Sequence, residues 1–195
     1  MSEDNRSLLR RRALEVAREI MSAEGLGAVQ ARRIATGIGC SVGTLYNLYD
    51  GLDDLIVAVN AETLEQLGAA VVKACDTSDS QAIEPLLEIM ALAYFEFARD
   101  HRQCWQAIFQ HQLANGRVVP DWYRERQSAL FALVEDILRS RIRDDDHRKM
   151  ASRALFSAVH GVVSLSLDEK LGAYDEHLTR KQITFIVGSA VRGLG

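Results

Sequence analysis

Ala35-Thr-Gly-Ile-Gly39-Cys-Ser41-Val-Gly43-Thr-Leu45-Tyr46-Asn47-Leu-Tyr49 is the stretch on which the fold turns. Its pattern predicts a helix, a glycine turn and a short second helix with small and polar residues on its outer face. Ala35 is small enough to let the two helices approach. Gly39 permits positive φ in the turn. Ser41 is a good N-cap, because its hydroxyl accepts a backbone N–H that the first turn leaves unpaired. Leu45 fills the gap between the helices from below, and Leu45 and Tyr49 fall on the inner face of the helical period. These are the spacings of a helix-turn-helix, a unit that presents its second helix to the major groove of DNA. Sequence-specific DNA binding is the function these residues imply.

Working outward, Leu9, Ala13, Val16, Ala17 and Ile20 recur at helical spacing and predict an amphipathic helix over about 6–24, stopped at Gly25 and Gly27. A short helix follows over about 29–36. Asp50-Gly51 is a turn signal. Leu52, Leu55, Ile56, Val59, Leu67 and Val71 then mark a long helix to about Ala74, with Asp53 and Asp54 suited to its N-terminal dipole. A polar loop is expected near 76–80. Helices follow over about 80–99 and, capped by Asp100, to about Asn115, where Gly116 breaks the run. Pro120 opens the next helix, with Leu130, Val134, Ile137 and Leu138 as its core stripe. Another begins at Asp144, with Ala151, Ala154, Leu155, Ala158, Val162 and Leu165 expected on its inner face. A loop is expected near 170–178, before a last helix carrying Ile183, Ile186, Val187, Ala190, Val191 and Leu194. The expected fold is all-α, with about nine helices. A three-helix head over 1–50 is joined by a long fourth helix to a larger helical body over 51–195.

Composition narrows the function classes. Two prolines and few alternating runs favour helices throughout the 195 residues. The net charge of −4 is unevenly spread: the first 49 residues carry seven arginines against five acids, so a mildly basic end precedes an acidic body. Three scattered cysteines fit reduced thiols. No apolar run is expected to approach the roughly 18 residues needed to span a bilayer. The polar N-terminus is unlike a signal peptide, so a cytoplasmic location and no membrane partner are expected. A glycine-rich phosphate loop, a nucleophile elbow and a His/carboxylate cluster at useful spacing are all missing, which argues against an enzyme and against a cofactor. His101-x-x-Cys104 is one helical turn of ligand spacing without further ligands, so no metal site is expected.

Arg32-Arg-Ile-Ala35, Gly39-Cys-Ser41-Val-Gly43-Thr-Leu45-Tyr46, Tyr49 and Leu55 together resemble the signature of the TetR family of bacterial transcriptional regulators. The resemblance is specific over residues 8–56; beyond them it rests on length and helix count. His160-Gly161 is similar to the His-Gly pair of one C-terminal subtype, with Phe156 where that subtype has Trp. The chain departs from the family at three positions. Leu52 stands where a phosphate-gripping lysine is usual, Gln30 where Thr is common, and Leu48 where His is common. The resemblance implies a homodimer that represses from a palindromic operator and is released by a small-molecule effector.

Candidate DNA-facing residues are Val42, Gly43, Thr44, Tyr46 and Asn47 on the second helix of the motif, Arg32 on the first, and Arg10 with its neighbouring arginines on the opening helix. Thr44 and Tyr46 offer hydroxyls to phosphate or base. Val42 and the Tyr46 ring suit thymine methyls, and Asn47 suits adenine. Arg32 suits a guanine edge or a phosphate. In the body, Tyr94, Trp105, Phe109 and Trp122, with His160 as a polar partner, are candidate walls of a pocket for an apolar or aromatic effector. The small and branched residues of the last two helices suit a four-helix bundle across a two-fold axis. The competing expectation is a helical ligand-binding or protein-interaction module with weak or no specific DNA binding.

Overall fold

The computed structural model describes residues 3–78, 80–170 and 172–194. Met1, Ser2, Asp79, Leu171 and Gly195, which fall in the expected spans 1–50 and 51–195 and in the loops expected near 76–80 and 170–178, lie outside the described residues. Among the described residues there is no strand, and nine α-helices follow one another. They are α1 (Glu3–Glu24), α2 (Ala31–Gly37), α3 (Val42–Leu48), α4 (Leu52–Asp76), α5 (Ile83–Asp100), α6 (Arg102–Gln110), α7 (Asp121–Leu138), α8 (Asp145–Leu167) and α9 (Glu176–Gly193). Short 3-10 turns occupy Leu26–Ala28 and Ala114–Gly116. The all-helical architecture is the one the hydrophobic periods predict.

The chain divides into two compact units, residues 1–66 with 101–124 and residues 67–100 with 125–195. In the first, α1 packs against α2, α3 and α6, and α2 packs against α3. Its core joins Ala13, Ala17 and Met21 of α1 to Ile34 of α2, Leu45 and Leu48 of α3, Leu55, Ile56 and Val59 of α4, and Cys104 and Ala107 of α6. Leu45 and Leu48 are fully buried, each contributing about 1.5–3 kcal/mol on area grounds. That matters for α3, whose seven residues are too few for a helix to hold on local propensity. A Cβ on Gly37 would meet Val16 Cγ1 at 2.8 Å, so α2 leans on α1 at a distance only glycine allows. In the second unit, α5, α8 and α9 pack pairwise. Phe95, Leu87, Leu138, Val163, Ile183 and Val187 lie at its centre.

Four expectations are corrected. α6 ends at Gln110, not near Asn115, because His111 turns extended and residues 111–117 are drawn to the start of α4. Asp100 closes α5 and pairs with Arg99 at 2.7 Å; His101 takes the N-cap position of α6. The buried stripe of α8 is Arg148, Ser152, Val159, Val163 and Leu167, while Ala154, Ala158 and Leu165 are exposed, because this helix carries apolar residues on two faces. Finally, α4 and α8 each hold an 18-residue stretch long and apolar enough by composition to cross a membrane. Sparse acids such as Glu62 and Glu65 interrupt the α4 run without making it polar. The α4 stretch is 56% buried, as a core helix is, and the α8 stretch only 28%.

Candidate nucleic-acid interface and effector cavity

The helix-turn-helix is built from local rules. α2 closes with Ile38 N–H donating to Ile34 O, and Cys40 N–H reaches back to Ala35 O at 2.9 Å. Gly39 sits between them at φ +70°, in the left-handed region where a side chain is strained. Ser41 then caps α3: its Oγ accepts from Thr44 N–H at 3.0 Å and lies 2.9 Å from Thr44 Oγ1. Ala35 is buried on α2, which packs against α3. Gln30, at the N-cap position of α2, makes no side-chain cap, which is the local consequence of lacking the more usual Thr. Leu48 is 1% exposed and Leu52 packs on the same core, so both departures from the family pattern serve packing.

With Leu45, Leu48 and Tyr49 turned inward, α3 presents the opposite face. Tyr46 is 49% exposed, Gly43 and Asn47 are exposed, and Val42 and Thr44 are partly exposed beside them. Arg32 is exposed on α2. Arg33 is held by Glu24, with Nη1 to Oε2 at 2.9 Å, and this pairing keeps the Glu24 carboxyl below the usual range. The candidate DNA-facing residues of α2 and α3 are thus brought into one unit. Arg10 differs: its guanidinium is turned to the carboxyl end of α3, where it donates to Leu48 O.

The start of α4 carries Asp53 and Asp54 directly after Leu52, and the 111–117 segment pairs with both. His111 Nε2 donates to Asp53 Oδ1 at 3.0 Å, Ala114 N–H donates to Asp53 Oδ2 at 3.1 Å, and Arg117 Nη2 donates to Asp54 at 2.6 Å. The hydrogen bond from His111, then that from Ala114, lowers the Asp53 carboxyl below its ordinary value. Sequence patterning did not reveal this pairing, since its partners lie about 60 residues apart and neither shares a helix face with the other.

In the second unit a cavity of about 90 Å³ lies among α4, α5, α7 and α8. Its lining is aliphatic apart from Tyr94 and Phe156; Leu87, Met90, Leu130 and Val159 are typical of the walls. The Tyr94 hydroxyl lies 2.7 Å from His160 Nδ1. The His160 ring stacks on Phe156 at 5.5 Å and 24°. Burial holds its pKa below the ordinary value, which favours the neutral imidazole, and the tautomer sets which partner donates in the Tyr94–His160 hydrogen bond. Of the five candidate pocket residues, Tyr94 lines this cavity, and His160 reaches it only through its hydrogen bond to Tyr94. Trp105 is 1% exposed in the first unit, edge-on to Phe109 at 5.4 Å, and Trp122 also lies in that unit.

The comparisons with known proteins agree with this architecture. The pattern described as bacterial regulatory proteins, tetR family, matches residues 13–59, and that described as Tetracyclin repressor-like, C-terminal domain, matches residues 87–184. No curated protein matches the chain significantly. Among solved structures, the chain is similar to a protein of unknown function from Rhodococcus sp. RHA1, at 22% identity, covering 95% of this chain and 94% of that one, with a TM-score of 0.76. It is similar to a TetR-family transcriptional regulator from Streptomyces coelicolor, at 14% identity over 96% and 99% of the two chains, TM-score 0.70. A third likeness is to the multidrug binding protein EbrR complexed with imidazole, at 22% identity over 91% and 93%, TM-score 0.62. These likenesses concern the fold; the two matched patterns, one of them spanning half the chain, carry the assignment. A DNA-binding helix-turn-helix head followed by the helical body of this family makes the chain a non-enzymatic transcription regulator, and it belongs to the tetR family of bacterial regulatory proteins.

Proposed function

We propose that the chain is a cytoplasmic repressor that binds a palindromic operator as a homodimer and is released by a small uncharged effector. The observation that carries this is the exposed face of α3, with Tyr46 outward over buried Leu45 and Leu48. Val42, Gly43, Thr44, Tyr46 and Asn47, with Arg32 from α2, supply base-edge and phosphate contacts. Two copies related by a two-fold axis then meet half-sites roughly 34–36 Å apart. The apolar face that α8 leaves exposed, Ala154, Ala158 and Leu165, with Leu178 and Phe185 of α9, is the surface the second copy covers. Phe185 is 71% exposed in the single chain, and such a ring gains most from that cover.

The cavity sets the effector's chemistry. An ion would lie uncompensated against aliphatic walls, so the effector is neutral. Without movement of its walls, a cavity of about 90 Å³ takes a short alkyl chain and no more, since about 150 Å³ is the size of an engineered cavity that holds benzene. Met90, flexible and polarizable, is the wall most able to adjust. The Tyr94–His160 pair is the polar handle beside it. EbrR, similar in fold, is a multidrug binding protein complexed with imidazole, which supports small-molecule capacity in such a body.

The test is capture of duplexes from a random pool by the purified chain, followed by titration of the bound duplex with small neutral apolar compounds. Enrichment of an inverted repeat, and its release by such a compound, is the expected result. Failure to enrich any sequence selects instead the helical ligand-binding or interaction module without specific DNA binding.

A further inference from the structure

We infer that Arg6 and Arg10 are positioning residues that cap the carboxyl end of the recognition helix from outside it, and that their guanidinium groups do not serve as phosphate contacts. The argument starts from α3 itself. A helix leaves its last carbonyls without intrahelical partners. They are commonly closed by a left-handed glycine or by a basic side chain in the last turn. α3 has neither: its last turn contains no basic residue, and it runs into Tyr49, which is extended at φ −134°, ψ 141°.

α1 supplies the missing donors. Arg6 Nη2 donates to Asn47 O at 3.0 Å, and Arg10 Nη1 donates to Leu48 O. The two guanidinium charges also meet the negative end of the α3 dipole. Arg6 and Arg10 are four residues apart and share one face of α1, which is why both reach α3. Arg11 and Arg12 lie off that face and are exposed.

Tyr49 locks the arrangement. Its ring lies beneath the Arg10 guanidinium, 4.5 Å from centroid to Cζ, and its hydroxyl donates to the Arg10 carbonyl at 2.9 Å. Tyr49 is buried, so the ring cannot follow the guanidinium outward without disturbing the head core. Arg10 therefore holds the carboxyl end of α3 while its own backbone is held by the residue that ends α3. The cap fixes the angle at which Tyr46 and Asn47 are presented.

This inference rests on α3 being the groove-entering helix, and its test keeps the two apart. Hydrogen exchange across residues 42–49 is measured without DNA in the wild type, Arg10→Ala, Arg10→Lys and Arg6→Ala. Affinity is measured for a duplex selected by the wild-type chain and for a scrambled duplex, over a range of salt. A cap predicts tenfold or faster exchange in α3 for Arg10→Ala with α5 and α9 unchanged, and partial rescue by Arg10→Lys. It also predicts at least a tenfold fall in the ratio of selected to scrambled affinity, with the salt slope intact. A phosphate contact predicts the reverse: equal loss on both duplexes, and a salt slope lower by about one. That pattern, or unchanged α3 exchange in Arg10→Ala, overturns the inference. Should Arg10→Ala not fold, Arg10→Lys and Arg6→Ala decide it by the same criteria. If the wild type selects no duplex, DNA recognition fails as a function while the exchange data still judge the cap.

Discussion

Ala91→Leu separates the effector cavity from the DNA-binding head. Ala91 lines the cavity of about 90 Å³ together with Leu87, Met90 and Val159. The substitution adds three carbons to an apolar void. At about 0.8 kcal/mol per buried methylene, complete burial without strain is an upper bound of about 2.4 kcal/mol. Part of this is lost to rotamer strain where the added carbons meet the walls. The expected net gain is therefore about 1–1.5 kcal/mol, or a rise in Tm of about 2–6 °C for a chain of this size. Denaturant unfolding and a thermal scan measure it. In the same protein, release of a bound duplex by a neutral apolar compound is lost, while duplex affinity stays within twofold, since no head residue is touched. A fall in stability of 1 kcal/mol or more would refute the reasoning, because it would mean that the space beside Ala91 is already filled by its neighbours.

Three further outcomes follow from the geometry. Tyr46→Ala is expected to weaken binding to a selected duplex by about 1–3 kcal/mol in a gel-shift titration, and unchanged affinity removes Tyr46 from the interface. Ser41→Ala removes the acceptor for Thr44 N–H and is expected to cost the head about 1 kcal/mol in denaturant unfolding. His160 titrates below its unfolded value of 6.5, so the native state binds fewer protons than the unfolded chain as pH falls below that value. The contribution is fully present above pH 6.5 and is lost on acidification. Unfolding followed from pH 7.5 to 5.5 should show this loss, and His160→Gln should flatten that part of the profile.

The head was legible because its determinants are local. Gly39, Ser41 and Leu45 each impose a turn, a cap or a packing contact within a few residues, and all three occupy those roles. The body was less legible. Aromatic residues in the middle of the chain suggested a ring-lined pocket, yet Trp105 is a core residue of the first unit and the cavity walls are mostly Leu, Val and Met. Periodicity reports that a side chain is buried, not whether it meets a neighbour or a void. α8 shows the related ambiguity, since a helix with two apolar faces gives one period and no indication of which face the chain itself covers. Arg10 is the clearest case. A run of arginines at the start of a basic head suggests DNA, and only the fold reveals that Arg10 meets Leu48 O, 38 residues away. The same holds for His111 and Asp53, which are 58 residues apart.

The account stands or falls on whether the outer face of α3 reads bases. Selection from random duplexes with the wild-type chain and with Asn47→Ala and Tyr46→Ala variants measures this directly. The account predicts an inverted repeat with half-site centres roughly 34–36 Å apart for the wild type. It also predicts that each variant loses base preference at one or two positions in every half-site. Variants that select the same sequence with the same stringency as the wild type would contradict it.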